Sequence, residues 1–209
     1  MALNVQTIYN SLVNLNCIQM NEMKTHMNHD YNDLIRLFNT VFLERLNTEL
    51  LLGGDEPIYL PASEERTHHQ IIFARGYYAS AMHELGHWCI AGEARRLLED
   101  YGYWYQPDGR SAEVQAAFEV VEIKPQAIEW ILSASCGFNY QVSCDNLSGN
   151  CEPDRVGFTL KVREQVINYL TNGIPERTKM LSDTFRDFYG IAPLTAANFP
   201  KPIPLTDYA

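Results

Sequence analysis

The sequence predicts an α+β fold, a mostly helical single domain with a small sheet. Three observations lead there. Apolar residues recur at helical spacing in several separate segments, and only two short runs look like strands. One helical segment also carries two histidines four residues apart, His83 and His87.

Residues 1–27 mix Asn, Met and Thr with short apolar pieces. They read as a weakly ordered extension, with at most one helix near Ile8 to Leu15, ahead of a domain spanning 28–209. A helix follows from Asn28. Asp30 or Asn32 can cap it, and Leu34, Leu37, Phe38, Phe42 and Leu46 share one face. Gly53-Gly54-Asp55-Glu56-Pro57 breaks the chain. Ile58-Tyr59-Leu60, closed by Pro61, and Ile71-Ile72-Phe73-Ala74 are the strand candidates. Residues 77–98 form the strongest helix, with a pause at Gly92, because Tyr77, Ala81, Leu85 and Trp88 recur at helical spacing.

Tyr101 to Arg110 is a turn-rich aromatic loop. Ser111 can cap a helix from Ala112 to Glu122, and Pro125 suits the first turn of another through Ser135. Val142 to Asp154 is a long loop. Helices near Thr159 to Leu170 and Arg177 to Tyr189 come next, the first stopped by Asn172-Gly173. The last stretch, with Pro193, Pro200, Pro202 and Pro204, is extended and suited to wrapping the domain.

Composition narrows the function classes. The chain has 209 residues, enough for a sizeable core, with 46% hydrophobic and 20% charged residues. A net charge of −10 makes it a poor binder of nucleic-acid phosphates, which need clustered Lys and Arg. A cationic substrate or a basic partner surface is the better complement. The five cysteines, Cys17, Cys89, Cys136, Cys144 and Cys151, include no Cys-x-x-Cys pair, so a disulfide framework or zinc ribbon is not expected. Residues 1–20 lack a basic and then apolar leader pattern, and no apolar run reaches about 18 residues. A cytoplasmic protein with reduced thiols, no membrane contact and no direct nucleic-acid partner is expected.

His83-Glu84-Leu85-Gly86-His87 carries the chemistry. Histidines four apart on a helix differ by about 40° in direction, so both rings can reach one divalent metal ion. Glu84 lies about 100° round from His83, beside such an ion. In zinc peptidases a glutamate so placed is the general base. A chance His-Glu-x-x-His arises in roughly one per hundred chains of this make-up, so the motif in a helical context argues for a metal. It does not say which metal. The helix is zincin-like in this respect.

A third ligand must come from elsewhere. No histidine follows within about 25 residues, which excludes the long metzincin pattern. Glu119 and Glu122, set among Phe118, Val121 and Ile123, are the best carboxylates. One can ligate while the other braces a histidine. Two imidazoles and a carboxylate suit zinc hydrolysis or non-haem iron oxygen chemistry equally. Asp145, Glu152 and Asp154 could receive a cationic substrate, or simply form turns. Cys144 reads as structural. His68-His69 and His26-x-x-His29 read as exposed.

Several long segments together resemble the family of elongation factor P hydroxylases. They include Gly54-Asp55-Glu56-Pro57-Ile58-Tyr59-Leu60-Pro61 and Gly76-Tyr77-Tyr78-Ala79-Ser80-Ala81-Met82, which runs directly into the His83 motif and on to Gly92. They continue with Tyr101-Gly102-Tyr103-Trp104-Tyr105, Pro107-Asp108-Gly109-Arg110 and Val121-Glu122-Ile123-Lys124-Pro125-Gln126-Ala127. Val142-Ser143-Cys144-Asp145-Asn146-Leu147, Glu152-Pro153-Asp154-Arg155-Val156 and Tyr169 to Arg177 complete the set. The likeness runs from about Tyr31 to Phe199 and excludes the first 27 residues.

The resemblance implies a metal-dependent monooxygenase that hydroxylates the β-lysylated lysine of translation elongation factor P. It implies His83, His87 and Glu122 as metal ligands, iron(II) as the metal and molecular oxygen as co-substrate. Glu84 then becomes a group that supports the ligands from beside the metal or a proton shuttle, and carboxylates such as Asp145 and Asp154 receive the cationic lysyl arm. The alternative is a zinc-dependent, metallopeptidase-like hydrolase with Glu84 as base.

Overall fold

The structure is a computed structural model and describes residues 29–100, 108–144, 146–149 and 151–202. The expected N-terminal extension, most of the aromatic loop and Asp145 lie outside these residues. Among the described residues the architecture is α+β, mostly helical with a three-stranded sheet, as the sequence predicts.

The first helix, α1 (Tyr31–Leu46), starts where the Asp30 side chain accepts the Asn32 N–H at 2.8 Å. It buries Leu34, Leu37, Phe38 and Phe42. Asn47 ends it in the left-handed region, φ 49°, and the chain turns straight into β1 (Thr48–Leu52). That strand is not expected from Thr-Glu-Leu-Leu-Leu, a composition that suits a helix. The left-handed Asn47 and a hydrogen bond from Leu50 N–H to the Asn39 side chain, 2.8 Å, decide it instead.

The two expected strands are β2 (Ile58–Leu60) and β3 (His69–Phe73). β3 is central, parallel to β1 with Thr48 opposite His69 and Leu52 opposite Phe73, and antiparallel to β2. Leu50, Ile71 and Phe73 face the core.

α2 (Tyr78–Ile90) holds the histidine motif and stops well short of residue 98. Ala91 is extended, and Arg177 takes up the helix-end carbonyls, donating to Cys89 O at 3.0 Å and Ala91 O at 2.5 Å. Only a short 3-10 turn, Arg95–Leu97, follows.

The expected pair of helices after Ser111 is one helix, α3 (Ala112–Cys136), with Pro125 inside it. Ser111 caps its start as predicted. Proline removes the N–H that would serve the Val121 carbonyl, but Val121 is exposed and water can replace it. From Pro125 to Ser133 every side chain is buried, because α3 is shared by two cores. The first joins α1, the sheet, α2 and α5 (Glu176–Tyr189). The second joins α4 (Arg155–Asn172) and the C-terminal stretch.

α4 begins earlier than the apolar pattern suggests, since Asp154 accepts the Gly157 N–H at 2.8 Å and caps it there. Up to residue 202 the C-terminal stretch lies against the domain, and Pro204 falls outside the described residues. Phe199 is fully buried, edge-on to Trp130, and its carbonyl accepts from Arg163 Nε at 2.7 Å. Burying such a ring is worth about 1.5–3 kcal/mol, enough to hold a proline-rich segment in place. No helix among the described residues is long and apolar enough to cross a membrane.

Candidate metal centre

α2 presents His83 and His87 on successive turns, and α3 crosses it closely enough to bring Glu122 to the same point. His87 Nε2 lies 3.1 Å from His83 Nε2 and 3.4 Å from Glu122 Oε1, while His83 Nε2 lies 3.8 Å from Glu122 Oε2. One ligand atom from each of the three residues falls within 4.8 Å of the others. Ligand atoms about 2.1 Å from a common ion at tetrahedral angles are about 3.4 Å apart, so the group fits one divalent cation. Glu122 is almost fully buried, a position that an ionised carboxylate holds only with a cation or strong donors.

Two further residues of α3 orient this set. The Glu129 carboxylate accepts from His83 Nδ1 at 2.9 Å, which directs the Nε2 lone pair of His83 toward Glu122 and His87. Gln126 donates to Glu122 Oε2 at 3.2 Å and to the Ser143 carbonyl at 2.7 Å. Its own carbonyl oxygen accepts from Ser143 N–H at 3.0 Å and from the Tyr140 hydroxyl at 3.1 Å. Gln126 thereby ties the ligand to the segment after α3.

The electrostatics separate the two histidines. Burial pushes His87 down to about 4, with the nearby His83 charge adding to it, so His87 is a neutral ring ready to ligate. Burial also opposes charge on His83, but the hydrogen bond to Glu129 and the Glu129, Glu122 and Glu84 carboxylates reverse it, to about 10. A proton and a divalent cation would therefore compete for His83 Nε2.

Glu84 is buried, and burial raises it to about 7, with His83 lowering it and Glu122, Glu129 and Asp100 raising it. It lines a cavity of about 30 Å³ with His87, Trp88, Tyr59, Arg95 and Asp100. A carboxyl that gains and loses a proton near neutral pH, in a space with room for about two waters, can pass protons to and from the metal side.

The remaining sequence candidates fall elsewhere. Glu119 does not brace a histidine; it accepts from Gln115 and pairs with Lys161 at 3.2 Å. Glu129 takes the bracing role, and neither it nor Gln126 was singled out from the sequence. Glu122, Gln126 and Glu129 recur at helical spacing in a stretch that also holds Ile123, Ala127, Ile128 and Trp130, and that polar stripe beside apolar residues is the signal that marks them. Asp154 caps α4 and lines a separate groove with Cys144, Asn146 and Glu152. Asp145 lies outside the described residues.

Two histidines expected at the surface are not there. The His29 ring packs among Tyr78, Phe138 and Tyr189, with Nε2 at 2.8 Å from the Cys136 carbonyl. His69 is half-buried in β3, accepts the Ala62 N–H through Nδ1 and stacks on Tyr59. Both serve packing, since long-range contacts across the sheet and α3 enclose them. Cys144 is buried in the second core, a structural position, and Cys89, Cys136 and Cys151 are free thiols.

Known proteins resemble this chain over the same region. The family model of elongation factor P hydroxylase matches residues 37–199. An elongation factor P lysine hydroxylase of Haemophilus influenzae is 53% identical over 163 residues, covering 78% of this chain and 91% of that protein. All four site residues on α2 and α3, His83, His87, Glu122 and Glu129, lie inside the matched range.

Proposed function

The chain belongs to the elongation factor P hydroxylase family, and we propose that it hydroxylates the β-lysylated lysine of translation elongation factor P at a metal held by His83, His87 and Glu122. The observation that carries this reading is the convergence of two imidazoles and one carboxylate, with His83 braced by Glu129. The enzyme class is a protein-lysine hydroxylase, acting in the cytoplasm where translation takes place.

Iron(II) is the metal proposed, and when bound it supplies activation of molecular oxygen, the co-substrate. The donor set of two imidazoles and one carboxylate would hold iron(II) as well as zinc, and membership of a hydroxylase family is what favours iron(II). The chain's own residues do the rest. Glu129 fixes the orientation of His83, and Gln126 fixes that of Glu122. Glu84 holds a proton beside the metal and releases it into the small cavity it shares with His87. Buried Trp88, Leu85 and Met82 limit water on the core side of α2.

Asp145 and Asp154 are proposed to receive the cationic lysyl arm. Asp154 has one oxygen on the Gly157 amide and stands exposed on a groove, which leaves its other oxygen open to a cation. A helix bearing both histidines beside a small sheet is a zincin-like arrangement on this reading, but Glu84 serves as proton carrier, not as peptidase base.

The test combines metal analysis of anaerobically purified protein with mass spectrometry of modified elongation factor P. Gain of one oxygen atom, lost in His83→Ala and in Glu84→Gln, is expected, with Glu84→Gln still retaining metal. Zinc as the sole metal together with cleavage of a peptide bond would favour the hydrolase. An unchanged product after His83→Ala would take the metal out of the reaction.

A further inference from the structure

A second pocket of about 370 Å³ opens between α1, the end of α2 and the start of α5. Three arginines line it: Arg45 from α1, Arg96 from the turn after α2, and Arg177 from α5. Such a concentration is unexpected in a chain of net charge −10. None of the three pairs with a described carboxylate, and Glu176, the acidic residue in the lining, is exposed.

Two of these guanidinium groups are incompletely used. Arg177 spends Nη2 on the carbonyls of Cys89 and Ala91, but its Nη1 is buried with no hydrogen-bond partner. Arg96 Nε is buried and without a partner as well. Both atoms are sealed from the open pocket, so what faces it is the positive charge of guanidinium groups that no described carboxylate offsets. Burial, and then the charge of Arg96, lower the affinity of Arg177 for its proton, which is the mark of cations held close together.

The backbone adds to the field. α5 is 14 residues long, and its N-cap is Pro175, which offers no side-chain cap. Its first-turn amides therefore point out of the helix N-terminus beside the arginines, where the helix dipole favours an anion.

We propose that this pocket binds an oxyanion of the phosphate class. Three guanidinium groups and a helix N-terminus supply more positive charge and more donors than one carboxylate can accept. A phosphate dianion, with three terminal oxygens, matches them. The volume exceeds that of a bare phosphate, and Phe42 and Met180 give it apolar walls, so a phosphate ester of a small molecule fits better than the free ion. Occupancy reaches the metal helix through Arg177. Its guanidinium lies 4.7 Å over the Trp88 ring and holds the carbonyls at the end of α2, directly after His87. Arg96 also lines the small cavity beside Glu84 and His87.

The test is calorimetric titration of the metal-loaded, full-length protein with inorganic phosphate and with adenosine monophosphate, at fixed ionic strength against a chloride control. Saturable one-to-one binding is expected, tighter for the ester. Arg96→Gln should weaken it by about tenfold or more, as removal of a charge-assisted hydrogen bond does. Arg45→Gln, at a more exposed position, should weaken it less and guards against a folding defect in the first variant. Circular dichroism and metal content should stay unchanged in both. Absence of saturable binding by either probe overturns the proposal, as does equal affinity in wild type and Arg96→Gln. Binding of citrate with rejection of both phosphates overturns the phosphate assignment.

Discussion

The backbone of Gly86 in the metal helix runs against the carbonyl of Pro125, so closely that a Cβ at position 86 would stand 2.6 Å from that oxygen. The same Cβ would touch Glu129 Cβ at 3.5 Å. This approach of α2 and α3 puts two histidines of one helix within ligand distance of a glutamate of the other. Gly86→Ala should therefore push the helices apart, destabilising the protein by about 1–3 kcal/mol, the usual cost of overpacking. Urea unfolding reads the loss, and metal titration should show a weaker site. An unchanged unfolding midpoint with full metal affinity would mean that the two helices can slide without cost.

Glu129 acts through His83, not on the ion. Replacing it with Gln keeps the shape but removes the charge that orients the ring. Metal affinity should fall about 10–100-fold, with the fold intact by circular dichroism. Affinity equal to wild type would show that packing alone orients His83.

The pH behaviour should differ between the metal-free and metal-loaded protein. In the metal-free state His83 is raised from 6.5 to about 10, so the folded chain keeps a proton that the unfolded chain releases. The resulting stabilisation is complete below pH 6.5 and is lost as pH rises toward 10. Above pH 7 His87, at about 4, no longer contributes to this slope, while Glu84, at about 7, adds to it in the same direction until about pH 8. A bound cation displaces the proton from Nε2, so metal affinity should rise with pH over the same range. Thermal unfolding at pH 7 and pH 9, with and without metal, should show the loaded-minus-free gap widening at pH 9. A gap that narrows would contradict a proton held at this site.

Gln126 joins Glu122 to the stretch after α3. In Gln126→Leu the Ser143 amide and carbonyl and the Tyr140 hydroxyl lose a buried partner, at a cost of about 1–3 kcal/mol. Limited proteolysis should then cut sooner between residues 140 and 156. Equal cutting rates in wild type and variant would show that this segment is held by other contacts.

Much of this was readable from residue order. The cap at Asp30, the strands at Ile58 and Ile71, the cap at Ser111 and the stop at Gly173 are local signals, and local signals survive folding. The histidine pair was equally legible, because its spacing is set by one helix. What escaped depends on distant partners. Strand β1 exists because Asn39 and β3 claim its backbone, not because Thr-Glu-Leu-Leu-Leu favours a strand. α3 runs through Pro125 because two cores bury it on all sides, which outweighs one missing hydrogen bond. Glu119 and Glu122 could not be separated by periodicity, and only the crossing of α2 and α3 gives them different neighbours.

The docked Phe199 has a consequence for how the protein is made. The second core, which steadies the half of α3 that carries Gln126 and Glu129, is closed in part by Phe199, a residue made well after both helices of the site. While the chain is still being synthesised, the histidine helix can form, but its carboxylate partner lacks its full support. Metal capture thus gains strength once Phe199 is in place, and a chain made only as far as α4 holds both histidines and Glu122 with one part of the supporting core still open.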